Sequence, residues 1–171
     1  MKKSTILFLM LMPGLISVAQ PSKQKKKKVQ SKEIVSVSLR HGACFGRCPV
    51  YKIDVNKNGI ATYTGMMFVP DSGVYTKNIG KKAAMEIIGT FTTCRIDTFR
   101  DKYENQIQDL PGAELTIDYG TRVKSIYNAL LGPPLLARLR SKIDSIIQRK
   151  TDETGLLPLD KSWHKVTGEH K

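Results

Sequence analysis

Val35, Val37 and Leu39 alternate with Ser36, Ser38 and Arg40, the period of a half-buried strand. Tyr51, Ile53 and Val55 alternate with Lys52 and Asp54 in the same way. Asn58-Gly59 then predicts a hairpin turn, because glycine accepts positive φ without steric penalty. A partner strand is expected from Ile60 to Gly65, with Val69 as its outer limit. Pro70 to Gly73 reads as a turn, and Val74 to Ile79 completes an antiparallel meander. The period then lengthens. Ala84, Ile87, Ile88 and Phe91 recur at helical spacing, with Lys81, Lys82 and Glu86 turned to water. A looser stretch follows, with Ile96, Phe99 and Tyr103 as its apolar points, and Asp109 to Gly112 reads as a turn. Leu115, Ile117 and Tyr119 alternate, Gly120-Thr121 turns the chain, and Val123 to Tyr127 returns as a second hairpin.

Pro133-Pro134 opens a last helix, since a helix's first turn has no partner for the N–H that proline lacks. Its apolar stripe is Leu135, Leu136, Leu139, Ile143, Ile146 and Ile147. Arg138, Arg140, Lys142 and Arg149 lie mostly opposite, and Lys150 complements the C-terminal dipole. The order of strands, helix, strands, helix predicts an α+β fold: an antiparallel sheet, meander plus second hairpin, with two helices packed on one face. The folded domain is expected over 34–150. Residues 151–171 read as a polar tail, with Trp163 as the side chain able to dock it.

The first 33 residues follow another pattern. Lys2 and Lys3 precede an apolar run from Ile6 to Met12. Pro13-Gly14 breaks it, and Ser17-Val18-Ala19 offers small residues at a cleavage position. This is the layout of a signal peptide over 1–19, removed after Ala19, which implies export to the periplasm or medium. The run is too short for a spanning helix, which needs roughly 20 apolar residues. No later segment is long enough, so no transmembrane segment is expected after cleavage. Residues 20–33 carry Lys23, Lys25 to Lys28 and Lys32 against Glu33 alone. Such a run cannot bury enough surface to offset its ordering entropy, so a disordered linker is expected. It reads as a solvated spacer, or else as a tether to an anionic envelope polymer or membrane surface. The chain's net charge of +13 therefore belongs in good part to this run and the signal, and not to a folded face. The chain has no DNA-binding motif or aromatic-interleaved basic stretch, so nucleic acid is not an expected partner.

Candidate chemistry concentrates in Arg40 to Tyr51, between two predicted strands. Cys44 and Cys48 fit a structural disulfide, which an exported chain meets the conditions to form. A bridge over so short a loop contributes only about 2 kcal/mol by the chain-entropy relation. A redox-active pair is a second reading, although such pairs have two intervening residues and adjoin a helix N-terminus. A zinc site from His41, Cys44, Cys48 and Cys94 is a third, and a thiol nucleophile with His41 as its base is a fourth. A bridge from either loop cysteine to Cys94 completes the set. Cys94 extends the stripe of the first helix, so burial is expected for it; the alternative is a link between two chains. Phosphate-cradling glycine loops, H-E-x-x-H, G-x-S-x-G and calcium loops are absent from the sequence. No catalytic residue, metal site or cofactor is predicted.

The run Cys44-Phe45-Gly46-Arg47-Cys48-Pro49-Val50-Tyr51 resembles the signature of a family of exported bacterial domains of unknown function, Cys-Phe-Gly-x-Cys-Pro-x-Tyr leading into a strand. Gly59, Tyr63-Thr64-Gly65, Gly73, Tyr103, Asp109-Leu110-Pro111, Val123-Lys124, Tyr127 and Ile143-Asp144 extend the resemblance over Ile34 to Ile147. Gln108 departs from it, where the family pattern favours threonine. The resemblance implies an exported single domain, sometimes lipid-anchored, and carries no activity and no catalytic residues. The expected function is a non-enzymatic envelope or secreted module binding a protein or an anionic polymer through Arg40, His41, Arg47 and Tyr51. The alternative is a thiol- or metal-dependent enzyme using the same loop.

Overall fold

The alternation along the strands separates an apolar sheet face from a polar one. A computed structural model describes residues 33–104, 112–128, 131–147, 151–152, 155–156 and 158–167. The signal, most of the basic run, the turn at Asp109, Arg149, Lys150 and His170 lie outside the described residues. Ten strands are assigned: β1 (Ser36–His41), β2 (Val50–Asn56), β3 (Ile60–Met67), β4 (Gly73–Asn78), β5 (Lys102–Tyr103), β6 (Ala113–Asp118), β7 (Val123–Asn128), β8 (Thr151–Asp152), β9 (Gly155–Leu156) and β10 (His164–Lys165). Helix α1 spans Lys81–Thr93 and α2 spans Pro134–Asp144. Eight strands form one sheet in the order β10-β4-β3-β2-β1-β6-β7-β5, while β8 and β9 pair separately. Meander and second hairpin meet where β6 pairs with β1, antiparallel like every other pair of the sheet except β5 with β7. This is an α+β fold.

Register explains the faces, because directly opposed residues share one side of a sheet. Leu39 lies opposite Ile53 and Leu115, Ile53 opposite Tyr63, and Leu115 opposite Ile126. All five are nearly or fully buried, together with Ile87, Ile88 and Phe91 of α1 and Leu136, Leu139 and Ile143 of α2. The other face carries Arg40, Lys52, Thr62, Thr64, Glu114 and Ser125 and faces water. Ser38 is buried on that side, its hydroxyl donating to Asp54 at 2.5 Å.

Turn chemistry sets the joints. Asn56 Oδ1 accepts the N–H groups of Asn58 and Ile60, and Gly59 takes φ 95°. A Cβ on Gly59 would lie 2.6 Å from the carbonyl carbon of Gly80, so glycine is required there twice over.

Strand β3 runs on to Met67, inside the expected limit at Val69, through an irregularity opposite Val50 and Tyr51. Other details differ from the sequence reading. The looser stretch holds a 3-10 turn at Ile96–Thr98 and the short parallel strand β5. Helix α2 stops at Asp144, and Ile146 and Ile147 reach the core from a 3-10 turn. Cys94 is half-buried at the C-cap of α1 and packs on the core without being enclosed by it. The C-terminal segment also adds a strand: β10 pairs with β4, and Trp163 is buried.

Candidate functional site

Strand β1 ends at His41 and β2 starts at Val50, so the loop must reverse the chain within residues 42–49. Gly42 N–H donates to the carbonyl of Gly112, tying the loop's start to β6. Cys44 and Cys48 are joined by a disulfide with a Cα–Cα distance of 5.6 Å. The bridge consumes both thiols that a nucleophile or zinc site would need. Among the described residues, no three His, Cys, Asp or Glu side chains gather as a metal-holding group. Cys94 is the free thiol.

The four candidate loop residues part company. Arg40 is exposed on the open face of the sheet, flanked in register by Lys52 and Glu114. His41 and Tyr51 are cross-strand partners on the helix-covered face, their rings stacked 4.4 Å apart. Both reach the last residue of α2. His41 Nε2 lies 3.0 Å from Asp144 Oδ1, and Tyr51 Oη donates to the same oxygen at 3.1 Å. Asp144 opposes the helix dipole at that position, so its partners, not its helix, account for it. Tyr51 is only 6% exposed and continues into Tyr63, 5.7 Å away. The trio staples β1 and β2 to α2. An imidazole oriented by a carboxylate is one element of base catalysis, yet among the described residues His41 has no hydrogen-bonded hydroxyl or thiol to activate.

Arg47 alone of the four sits at the exposed tip. Phe45 beside it is 91% exposed. The neighbouring end of β3 adds Met67, paired in register with Val50, and then Phe68. These two are about half exposed, and the Arg47 guanidinium lies 5.8 Å from the Phe68 ring centre. Phe68 takes φ 52°, a left-handed conformation that costs a bulky residue on the order of 1–3 kcal/mol. Gly65 allows this turn to close: a Cβ there would stand 2.0 Å from the carbonyl oxygen of Asp71. Phe45 at the bridged tip and Met67 and Phe68 at the end of β3, with the Arg47 cation near the Phe68 ring, are thus large exposed apolar side chains held by a disulfide and a strained turn. Sequence reading singled out Arg47 but not Met67 or Phe68, which follow a strand and carry no motif.

A groove of about 600 Å³ lies at the β5 end of the strand order, over β7 and β5. Its cations are already compensated: Arg122 with Asp97 at 2.5 Å, Lys124 with Asp101 at 2.7 Å, and Lys102 with Glu104. Burial, reinforced by the Asp97 carboxylate at 2.7 Å, pushes the Tyr119 phenol up to about 12. Asp97 likewise raises the Arg122 guanidinium. Each described cation lining this groove is paired with a carboxylate, so it is the weaker candidate.

The family model for Domain of unknown function (DUF6438) matches residues 35–147. The chain belongs to this family. The matched span holds the loop, the His41–Tyr51–Asp144 trio and both helices of the domain, and ends before the segment that supplies β10. No functionally curated protein matches the chain. Among the described residues, no helix is long and apolar enough to cross a membrane.

Proposed function

We propose that this chain is an exported, non-enzymatic binding module that holds a protein partner on the disulfide-braced loop between β1 and β2. The observation that carries the reading is Phe45, 91% exposed at the tip of a bridged loop whose Arg47 lies over the Phe68 ring. Covering one such ring gains about 1.5–3 kcal/mol. Large exposed apolar surfaces mark interaction sites, and aromatic residues with arginine dominate binding hot spots. The disulfide suits an oxidising compartment, which agrees with the signal-like start of the chain. The loop tip carries no carboxylate or hydroxyl arranged for chemistry. The lysine run of residues 23–28 supplies a second, electrostatic hold on an anionic envelope polymer, additional to the loop.

The test compares wild type, Phe45→Ala and Arg47→Ala, immobilised as the exported form and exposed to envelope extract. Retention of a defined protein should fall at least about tenfold with Phe45→Ala, the loss of one hot-spot ring, while the melting temperature stays put. Equal retention by all three chains removes the loop as the contact. The enzyme alternative is tested by labelling: native protein should expose no more than the Cys94 thiol, and three labelled thiols would reopen a thiol mechanism.

A further inference from the structure

The outer edge of β4 and the ring of Tyr63 make a second receptor surface, and the chain fills it with its own C-terminal segment. Leu159 N–H donates to Asp71 Oδ2 at 2.7 Å. The Asp160 carboxylate pairs with Lys77 Nζ at 3.2 Å and accepts the N–H of Ser162, turning the chain so that Trp163 points inward. Trp163 is 6% exposed, edge-on to Tyr63 at 6.2 Å, with Lys77 Nζ 5.8 Å from its ring centre. His164 and Lys165 then pair antiparallel with Thr76 and Tyr75, and Val166 N–H donates to the Val74 carbonyl at 2.8 Å. This is the geometry of an added strand, in which main-chain bonds supply affinity and one anchored side chain supplies selectivity.

Two observations mark the segment as an exchangeable occupant. Every receptor group lies inside residues 35–147, the span of the family match, while the segment lies outside it. Its fit is also incomplete. The ladder is two residue pairs long, and the buried Trp163 indole N–H has no hydrogen-bond partner among the described residues. A buried donor left unmatched weakens the state that holds it. We propose that the β4 edge is a binding site for an extended segment of a partner protein, carrying an acidic residue three positions before an aromatic anchor, and that residues 158–166 occupy it in cis until displaced.

Trp163 is the chain's one tryptophan, so its emission reports this site alone. The probe is a synthetic peptide copying residues 158–166 with the change W163F, titrated into the full-length wild-type chain. A short connection gives the resident segment a millimolar effective concentration, so the emission should shift to the red with a midpoint at roughly millimolar peptide. Asp160→Ala in the peptide should raise that midpoint by about fivefold, the upper range for an exposed ion pair. In parallel, a fluorescein-labelled wild-type peptide should bind the full-length Trp163→Ala chain at least about tenfold more tightly than wild type, because the competitor has lost its anchor. Unmoved emission through about 10 mM peptide, with no gain in the variant, overturns the proposal. If the variant loses its cooperative melt, the wild-type titration decides alone. A concentration-dependent wild-type dimer with unchanged emission would assign the edge to strand exchange between copies, and that too overturns it.

Discussion

The loop between β1 and β2 and the edge of β4 pose the same physical problem and meet it differently. Each brings aromatic side chains to the boundary of the sheet. At β4 the chain covers its own surface: Tyr63 is fully buried beneath Trp163. At the loop nothing covers Phe45, and a disulfide, not a packed neighbour, holds it in place. An apolar surface that a chain buries with its own residues contributes to stability. One that it braces and leaves open gives up that contribution, which favours a contact with something else. In the chain as it stands the β4 edge therefore contributes to stability while the loop stays open, and substitutions should separate the two.

The largest effect is expected from the residue that joins the two. Tyr63 touches Tyr51 on one side and Trp163 on the other, so Tyr63→Ala should lose about 3–5 kcal/mol in urea unfolding. It should also shift Trp163 emission to the red; an unchanged spectrum would show that the segment docks without Tyr63. Replacing Cys44 and Cys48 together by serine should lose about 2 kcal/mol, with faster hydrogen exchange in the loop and unchanged exchange at β4. Equal loosening at both places would dissolve the division. Asp144→Asn keeps the shape of the trio and removes its charge, and a loss of about 1 kcal/mol is expected for this partly buried contact.

A smaller effect belongs to pH. The Tyr119 phenol is raised to about 12 in the folded protein, from about 10 unfolded. The folded state therefore holds its proton more tightly. The associated stability is fully present below about pH 10 and is lost as pH rises through about 12. Absorbance titration at alkaline pH should show a late tyrosine that Tyr119→Phe removes, and Asp97→Asn should lower its midpoint only in part, because burial is the larger cause. The smallest effect on stability is expected at Phe45, where alanine should change unfolding by no more than about 0.5 kcal/mol.

Much of the fold was legible because period-two alternation is a physical requirement of a half-buried strand. Val37–Leu39, Ile53–Val55 and Leu115–Ile117 each occur in that pattern and each face the core. The same pattern already contained the fate of Tyr51, which alternates in step with Ile53 and Val55 and is buried with them. Grouping it with the loop by sequence distance hid that. Asp144 escaped notice as a partner of His41 because 103 residues separate them, and only the packing of α2 on the sheet brings them together. Strand β10 was invisible for another reason. Two exposed polar residues, His164 and Lys165, have no period, and the sole trace of docking was the lone Trp163. The disulfide was the first of several readings left open at the loop cysteines, while the exposure of Met67 and Phe68 depends on how far β3 runs.

The most direct measurement places a photo-cross-linking amino acid at position 45, and in a separate chain at position 123, before irradiation of cells producing the protein. Val123 is 62% exposed on β7, in register through Asp118 with Ser36 at the end of β1 away from the loop, and serves as the control. The account predicts a discrete adduct from position 45 and none from position 123. No adduct at 45, or the same adducts from both positions, would contradict the claim that the braced loop is the contact surface.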